Sequence, residues 1–249
     1  MTGTHVHLDL LGTGAFIPAT LLPLLALKKP LPASIITSQI TITLWAGRLA
    51  MFLFYRATIL RHDGRLTDTL STISGSFGFW FVSFIWGVFS TLPHTLSLSP
   101  IAKAKAAGST PPPLVALGAV GFVVSIAGLV IEILADLQKW NFKNTNPAGT
   151  FIQSGLWGIS QHPNYCGNLL IFSGLVLQNL GTLSKGGFSC VAGSLLSPVF
   201  IFALFYGQAT GMVANAVDAG VAKYGKSYVE YMVKTPLIFP AIGKWFKGW

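Results

Sequence analysis

Leu114 to Leu134 reads LVALGAVGFVVSIAGLVIEIL, 21 residues with a single charge, at Glu132. At about 1.5 Å of rise per residue, a helix of that length crosses the roughly 30 Å hydrocarbon core of a bilayer. A helix packed on a soluble core would show a polar stripe with a period near 3.6 residues, and none is present. Gly118, Gly121 and Gly128 leave room for the backbone of a neighbouring helix. Runs of the same kind stand on either side, at about Leu8–Leu27, Ser34–Tyr55, Ile73–Leu92, Asn164–Leu183 and Phe188–Gly211. The expected fold is therefore all-α, a polytopic transmembrane helix bundle of about six spans (six to seven), in a single membrane-embedded domain over 1–249.

Composition agrees. The chain has 249 residues, 52% of them hydrophobic and only 9% charged, where a soluble domain carries about 25% charged residues. The net charge is +9, from 16 Lys and Arg against 7 Asp and Glu. In a membrane protein that excess sets topology and meets anionic lipid, so the lipid bilayer is the first partner. An anionic cofactor or substrate comes second. Nucleic acid is not expected, since no basic run of five or more occurs. Cys166 and Cys190 match no metal-ligand spacing, and no metal site is expected. The opening MTGTHVHLDL lacks a basic n-region, so the first apolar run reads as a retained helix and not a signal peptide.

Several features qualify the spans. Pro18 and Pro23 should kink or split the first. Arg48 sits inside the second, either snorkelling to the interface or facing the bundle interior. The aromatic-rich third reads as lipid-facing or packing surface. A link from Pro93 to Pro113 should follow, with Thr95–Ala107 along the membrane surface, and a loop is expected at 141–154. The tail is mildly amphipathic and places Tyr224, Tyr228 and Tyr231 on one helical face.

With six spans, ten of the 16 basic residues (Lys139, Lys143 and the tail lysines among them) fall on one side and five on the other, with Arg48 inside a span. Positive charge marks the cytosolic side, which assigns both termini and the segment before the fifth span to the cytosol. No retention or transit signal separates endoplasmic reticulum, plastid and bacterial plasma membranes; for a eukaryotic source the expectation is the endoplasmic reticulum.

Polar chemistry gathers at three places on that side. GLWGISQHPNYCGNLLIFSG, Gly155 to Gly174, sets Ser160, Gln161, His162, Asn164, Tyr165 and Asn168 at the mouth of an apolar helix. Pro163 suits the first helical turn. Free N–H groups there, with the helix dipole, suit an anion such as phosphate. Gly167 lets a backbone or flat ring come close. In EILADLQKWNFK, Glu132 and Asp136 share a helix face, unless they merely end the helix in water. Trp140, Tyr228 and Tyr231 read equally well as interfacial anchors.

These same residues carry a resemblance. GLWGISQHPNY is similar to the GLW-x-x-SRHPNY-x-GE signature of the steroid 5-alpha-reductase superfamily C-terminal domain, in a branch of small multi-span membrane proteins. LWAGRLAMFLFYRATILRHDGRLTD, EILADLQKWNFKNTNPAGTFIQSGLW and YGKSYVEYMVKTPLIFP look like that branch's other segments, in the right order over most of residues 40–240, with the signature region at about 130–240. The resemblance implies an NADPH-dependent reductase of a carbon–carbon double bond in an apolar, lipid-like substrate (steroid, fatty-acyl or isoprenoid). By that carry-over His162, Asn164, Tyr165, Gln161, Asn168, Tyr228 and Tyr231 line the cofactor site. Lys139 and Lys143 meet its phosphates, and Glu132 and Asp136 orient those groups. A Tyr or an acid gives the proton, with Tyr165 and Tyr55 as the catalytic candidates; Tyr55 shares a helix face with Arg48.

Two departures bear on activity more than on fold: Gln161 stands where the signature has Arg, and Asn168 where it has Glu. The pair reads as a matched change, a salt bridge becoming an amide pair, or as weakened cofactor binding. The nearest acid ahead of the tail tyrosines is Asp218. Two other functions fit the same features. Isoprenylcysteine carboxyl methyltransferases, which use S-adenosylmethionine, resemble this C-terminal region but carry an acidic pair that this chain lacks. A non-catalytic lipid- or partner-binding membrane protein is the third reading.

Overall fold

A computed structural model describes residues 7–27, 30–60, 70–103, 110–211 and 216–240. The α-helices are α1 (Leu8–Gly14), α2 (Phe16–Ala26), α3 (Ala33–Leu60), α4 (Ile73–Lys103), α5 (Pro112–Thr145), α6 (Pro163–Leu183), α7 (Phe188–Ala209), α8 (Ala216–Tyr224) and α9 (Lys226–Lys234). No strand occurs among the described residues, and five helices, α3 to α7, are long and apolar enough to cross a membrane. The fold is an all-α polytopic bundle. The first apolar run is not one long span: it divides at Ala15 into α1 and α2, with Pro23 inside α2. Its apolar stretch, Leu10–Ala26, is shorter than the other five. Lys28, Lys29, Arg61, Arg65, Lys105, Lys244 and Lys247 of the topology count lie outside the described residues.

Two boundaries differ from expectation. The link expected from Pro93 is helical, because α4 runs through Pro93 and Pro100 to Lys103. Membrane helices tolerate internal proline where neighbouring groups satisfy the freed backbone. The charged segment EILADLQKWNFK is not a helix exit either. It continues α5 to Thr145, giving 34 residues, or about 51 Å. That exceeds the hydrocarbon thickness by roughly 20 Å, so the end bearing Lys139 and Lys143 projects beyond it.

The chain divides into two compact units. The first takes residues up to Phe122 and Gly174–Ser197. Phe16, Trp45 and Trp86 pin α2, α3 and α4 edge to face, at centroid distances of 5.3, 4.9 and 5.8 Å. Gly121 lets α5 meet α6 backbone to backbone; a Cβ there would lie 2.5 Å from the Gln178 nitrogen. The outer side of α4 exposes Phe77, Trp80, Phe81 and Phe84, as a lipid-facing helix should. Arg48 lies half-buried with its guanidinium 5.1 Å from the Phe52 ring centre.

The second unit takes Val123–Ser173 and Pro198–Trp249. Here α5 and α6 touch through Gly128 and Gly167, where a Cβ on Gly167 would lie 2.6 Å from the Gly128 carbonyl oxygen. Ser125 Oγ donates to the Ile171 carbonyl at 3.0 Å in the same contact. Gly167 thus admits a backbone, one of the two options expected of it.

Candidate functional site

The 3-10 turn Gly155–Gly158 is built onto the projecting end of α5. Its N–H at Leu156 donates to Gln138 Oε1 at 3.0 Å, and Trp157 Nε1 donates to the Ala135 carbonyl at 3.0 Å. Gly155 has φ +59°, and Gln138 fills the space a side chain would need. Lys139 Nζ then lies 4.4 Å from the Trp157 ring centre.

The tail closes over this platform. Tyr231 OH donates to the Trp157 carbonyl at 2.6 Å, and Ser160 Oγ donates to the Ile238 carbonyl at 2.7 Å. Gln161 Nε2 donates to the carbonyls of Met232 (2.9 Å) and Thr235 (2.6 Å), while its backbone N–H reaches the Pro236 carbonyl at 2.8 Å. The tyrosines do not share one continuous helix, because Gly225, at φ +67°, separates α8 from α9. They still converge: Phe151 lies 5.3, 5.1 and 5.4 Å from the rings of Tyr224, Tyr228 and Tyr231.

Between platform and tail is a cavity of about 120 Å³. It brings together six expected site residues, Lys139, Lys143, Gln161, His162, Tyr228 and Tyr231, with Phe151, Trp157 and Tyr224. Among the described residues no carboxylate lines it. Pockets that enclose a drug-sized ligand run to roughly 300–1,000 Å³, so a dinucleotide would lie partly outside. A second, more open hollow of about 510 Å³ is lined by aliphatic side chains, Gln138, Gln153 and Ser154. Among the described residues no titratable group lines it.

Burial, then the charge of Lys139, lowers the His162 pKa to about 4. The imidazole is therefore neutral at physiological pH and can both donate and accept. Its ring stacks on Tyr165 (4.7 Å, 8°), which stacks in turn on Phe205 (4.2 Å, 8°). Tyr165 OH donates to Gln208 Oε1 at 3.2 Å. Burial, then Tyr224, raises the Tyr228 pKa; burial, then Tyr228, raises that of Tyr231.

The helix mouth offers fewer amides than expected. Pro163 has none, and the N–H groups of Tyr165 and Cys166 both donate to the His162 carbonyl. Among the described residues this leaves Asn164 as the first-turn amide without a protein acceptor.

Gln161 and Asn168 do not pair as amides. Gln161 stitches the mouth to the tail, whereas Asn168 Nδ2 donates to Glu132 Oε2 at 2.9 Å in the interior. Glu132, far from ending a helix in water, is only 3% exposed. The Oδ1 atoms of Asn164 and Asn168, one turn apart on α6, are buried without a donor. Asp136 lies one turn beyond Glu132, half-buried and off the cavity lining. Tyr55 belongs to the first unit and is 54% exposed on α3.

Phe151, Trp157 and Gln208 were missed as site residues. Trp157 lies inside the signature stretch and Phe151 just before it, so both carry a signal there; Gln208, 43 residues from Tyr165 at the end of an apolar run, carries none.

An all-α polytopic membrane protein with this polar helix mouth is the class that fold and site define. The chain belongs to the family described as "Protein of unknown function (DUF1295)", which it matches over residues 1–235. No curated protein and no solved structure matches it.

Proposed function

We propose that this protein is a membrane-embedded, NADPH-dependent reductase of a carbon–carbon double bond in a lipid-like substrate, a member of the steroid 5-alpha-reductase-like group. The observation that carries the reading is the cavity where two lysines, a neutral histidine and a ring cluster meet, with no carboxylate among the described residues. Lys139 and Lys143 suit phosphate oxygens, and Phe151, Tyr224 and Tyr228 suit a planar ring. Off the cavity lining, the buried Oδ1 atoms of Asn164 and Asn168 call for a donor, which a carboxamide amine reaching beyond the cavity would supply. S-adenosylmethionine fits less well, because its sulfonium would add a third positive charge beside the lysines.

The cofactor, when bound, supplies a hydride to one alkene carbon, and a protein acid or water gives the other carbon its proton. Tyr165, held against His162 and Gln208 within the second unit, is the proposed donor. Asp136, one turn from Lys139, would help orient the phosphate-binding end, and Glu132 holds Asn168. The stacked rings keep the reacting region poor in water. The excess of basic residues on one side supports a cytosolic site with both termini on that side, and the bilayer itself delivers an apolar substrate.

Thermal unfolding of detergent-solubilised protein, titrated separately with NADPH and S-adenosylmethionine, tests the proposal. A ligand at a hundredfold excess over its dissociation constant adds about 2.7 kcal/mol to the folded state. A rise in Tm with NADPH alone is expected. A rise with S-adenosylmethionine alone transfers the site to methyl transfer, and no rise with either points to a non-catalytic binding protein.

A further inference from the structure

The interior of the first unit is polar where a membrane bundle is usually aliphatic. Ser38, Thr41, Ser90, His94 and Asn179 are each fully buried, on α3, α4 and α6. Ser38 Oγ lies 2.7 Å from His94 Nδ1 and 3.4 Å from Asn179 Oδ1. Small hydroxyl residues often join membrane helices, but a buried ionisable side chain in a span is a functional candidate by default. His94 also has a second nitrogen. The Thr20 backbone approaches the imidazole, yet Nε2 closes no well-formed hydrogen bond.

Nε2 is not alone. One turn back on α4, Ser90 Oγ is buried without a partner, and one turn further the indole N–H of Trp86 is as well. The three recur every four residues, so they line one face of the helix. Side chains at that spacing have Cβ atoms about 5–6 Å apart, so adjacent members of the row are neighbours. Each of these buried atoms calls for a hydrogen-bond partner, which an oxygen lodged beside Ser90 and His94 would supply.

We infer that the Trp86–Ser90–His94 face of α4 binds a neutral hydroxyl oxygen inside the membrane, from a lipid alcohol or from water. The donor and acceptor pattern selects that chemistry. Trp86 only donates and Ser90 does either. His94 Nε2 donates if Ser38 gives its proton to Nδ1, and accepts if Nδ1 carries the proton. A hydroxyl is complementary to every one of these states, whereas a carbonyl cannot serve an accepting His94 and an ammonium cannot serve Trp86. The site lies wholly within the first unit and does not depend on the cofactor reading.

Ser90→Ala decides the matter by the sign of its effect. Deleting a hydroxyl that has no partner removes a desolvation penalty, so it leaves Tm unchanged or raises it. Deleting one that holds a bound oxygen lowers Tm, and Trp86→Phe should act in the same direction. The full chain in detergent is also titrated with 1-hexadecanol and, separately, with hexadecane. A lowered Tm in both variants, with stabilisation of the wild type by the alcohol alone that Ser90→Ala abolishes, identifies a lipid alcohol. A lowered Tm in both variants with no alcohol-specific response identifies water. If Ser90→Ala melts at or above the wild-type temperature, the proposal is overturned whatever the alcohol does.

Discussion

Asn168 Nδ2 donates to Glu132 Oε2 at 2.9 Å inside the second unit, with both side chains almost wholly buried. The sequence departs at Asn168 from the reductase signature it resembles, and the amide there serves a carboxyl 36 residues upstream. Asn168→Leu removes a donor to a buried acid, which costs about 1.5–3 kcal/mol. Adding Glu132→Leu should recover part of that loss, because a buried polar pair replaced whole is cheaper than one broken. A double-mutant cycle on Tm should give a coupling of about 1 kcal/mol or more; strict additivity would mean the bond contributes nothing.

The contact that places Glu132 beside Asn168 is the approach of Gly128 to Gly167. Gly167→Ala puts a methyl 2.6 Å from the Gly128 carbonyl oxygen, forcing α5 and α6 apart. Overpacking of this kind costs about 1–3 kcal/mol. Gly78→Ala on α4 meets nothing within 4 Å and should be neutral or stabilising by up to about 1 kcal/mol. Thermal melts of the two variants side by side check the contrast.

His162 gives the fold a signed pH response. Its folded-state pKa, about 4, lies below the ordinary 6.5, so the unfolded chain binds the proton more readily between those values. Stability from this group is whole above about pH 6.5 and declines as pH falls towards 4, by up to about 3 kcal/mol. His162→Gln should flatten that part of the Tm profile relative to wild type. Parallel profiles from pH 7 to 4.5 would show that His162 is not buried neutral.

Gln161 caps the carbonyls of Met232 and Thr235, two acceptors that a guanidinium's five donors can also serve. Gln161→Arg should therefore fold with little change in Tm. It adds a positive charge beside Lys139 and Lys143, and should tighten NADPH binding up to about tenfold at low salt, less at high salt. Weaker binding would mean the neutral amide is required.

Apolar length and proline position made most of the helices legible. Asn164–Leu183 and Phe188–Gly211 were read within two residues of α6 and α7. Proline at Pro93 and charge at Lys139–Thr145 signal helix ends that membrane and tertiary surroundings override. The convergence of Lys139, Lys143, His162 and the tail tyrosines was legible only through the family signature, since they lie up to 92 residues apart (Lys139 to Tyr231). The polar interior around Ser38, His94 and Asn179 left no periodic trace, because each comes from a different helix and looks like a local break in an apolar run.

Direct titration of NADPH into purified wild-type protein and the Lys139→Gln/Lys143→Gln variant tests the central claim. The cavity's two lysines should account for most of the affinity, so the variant should melt near the wild-type temperature and bind NADPH at least tenfold more weakly. Equal binding by both proteins, or no binding by the wild type, would contradict a dinucleotide site at this end of α5.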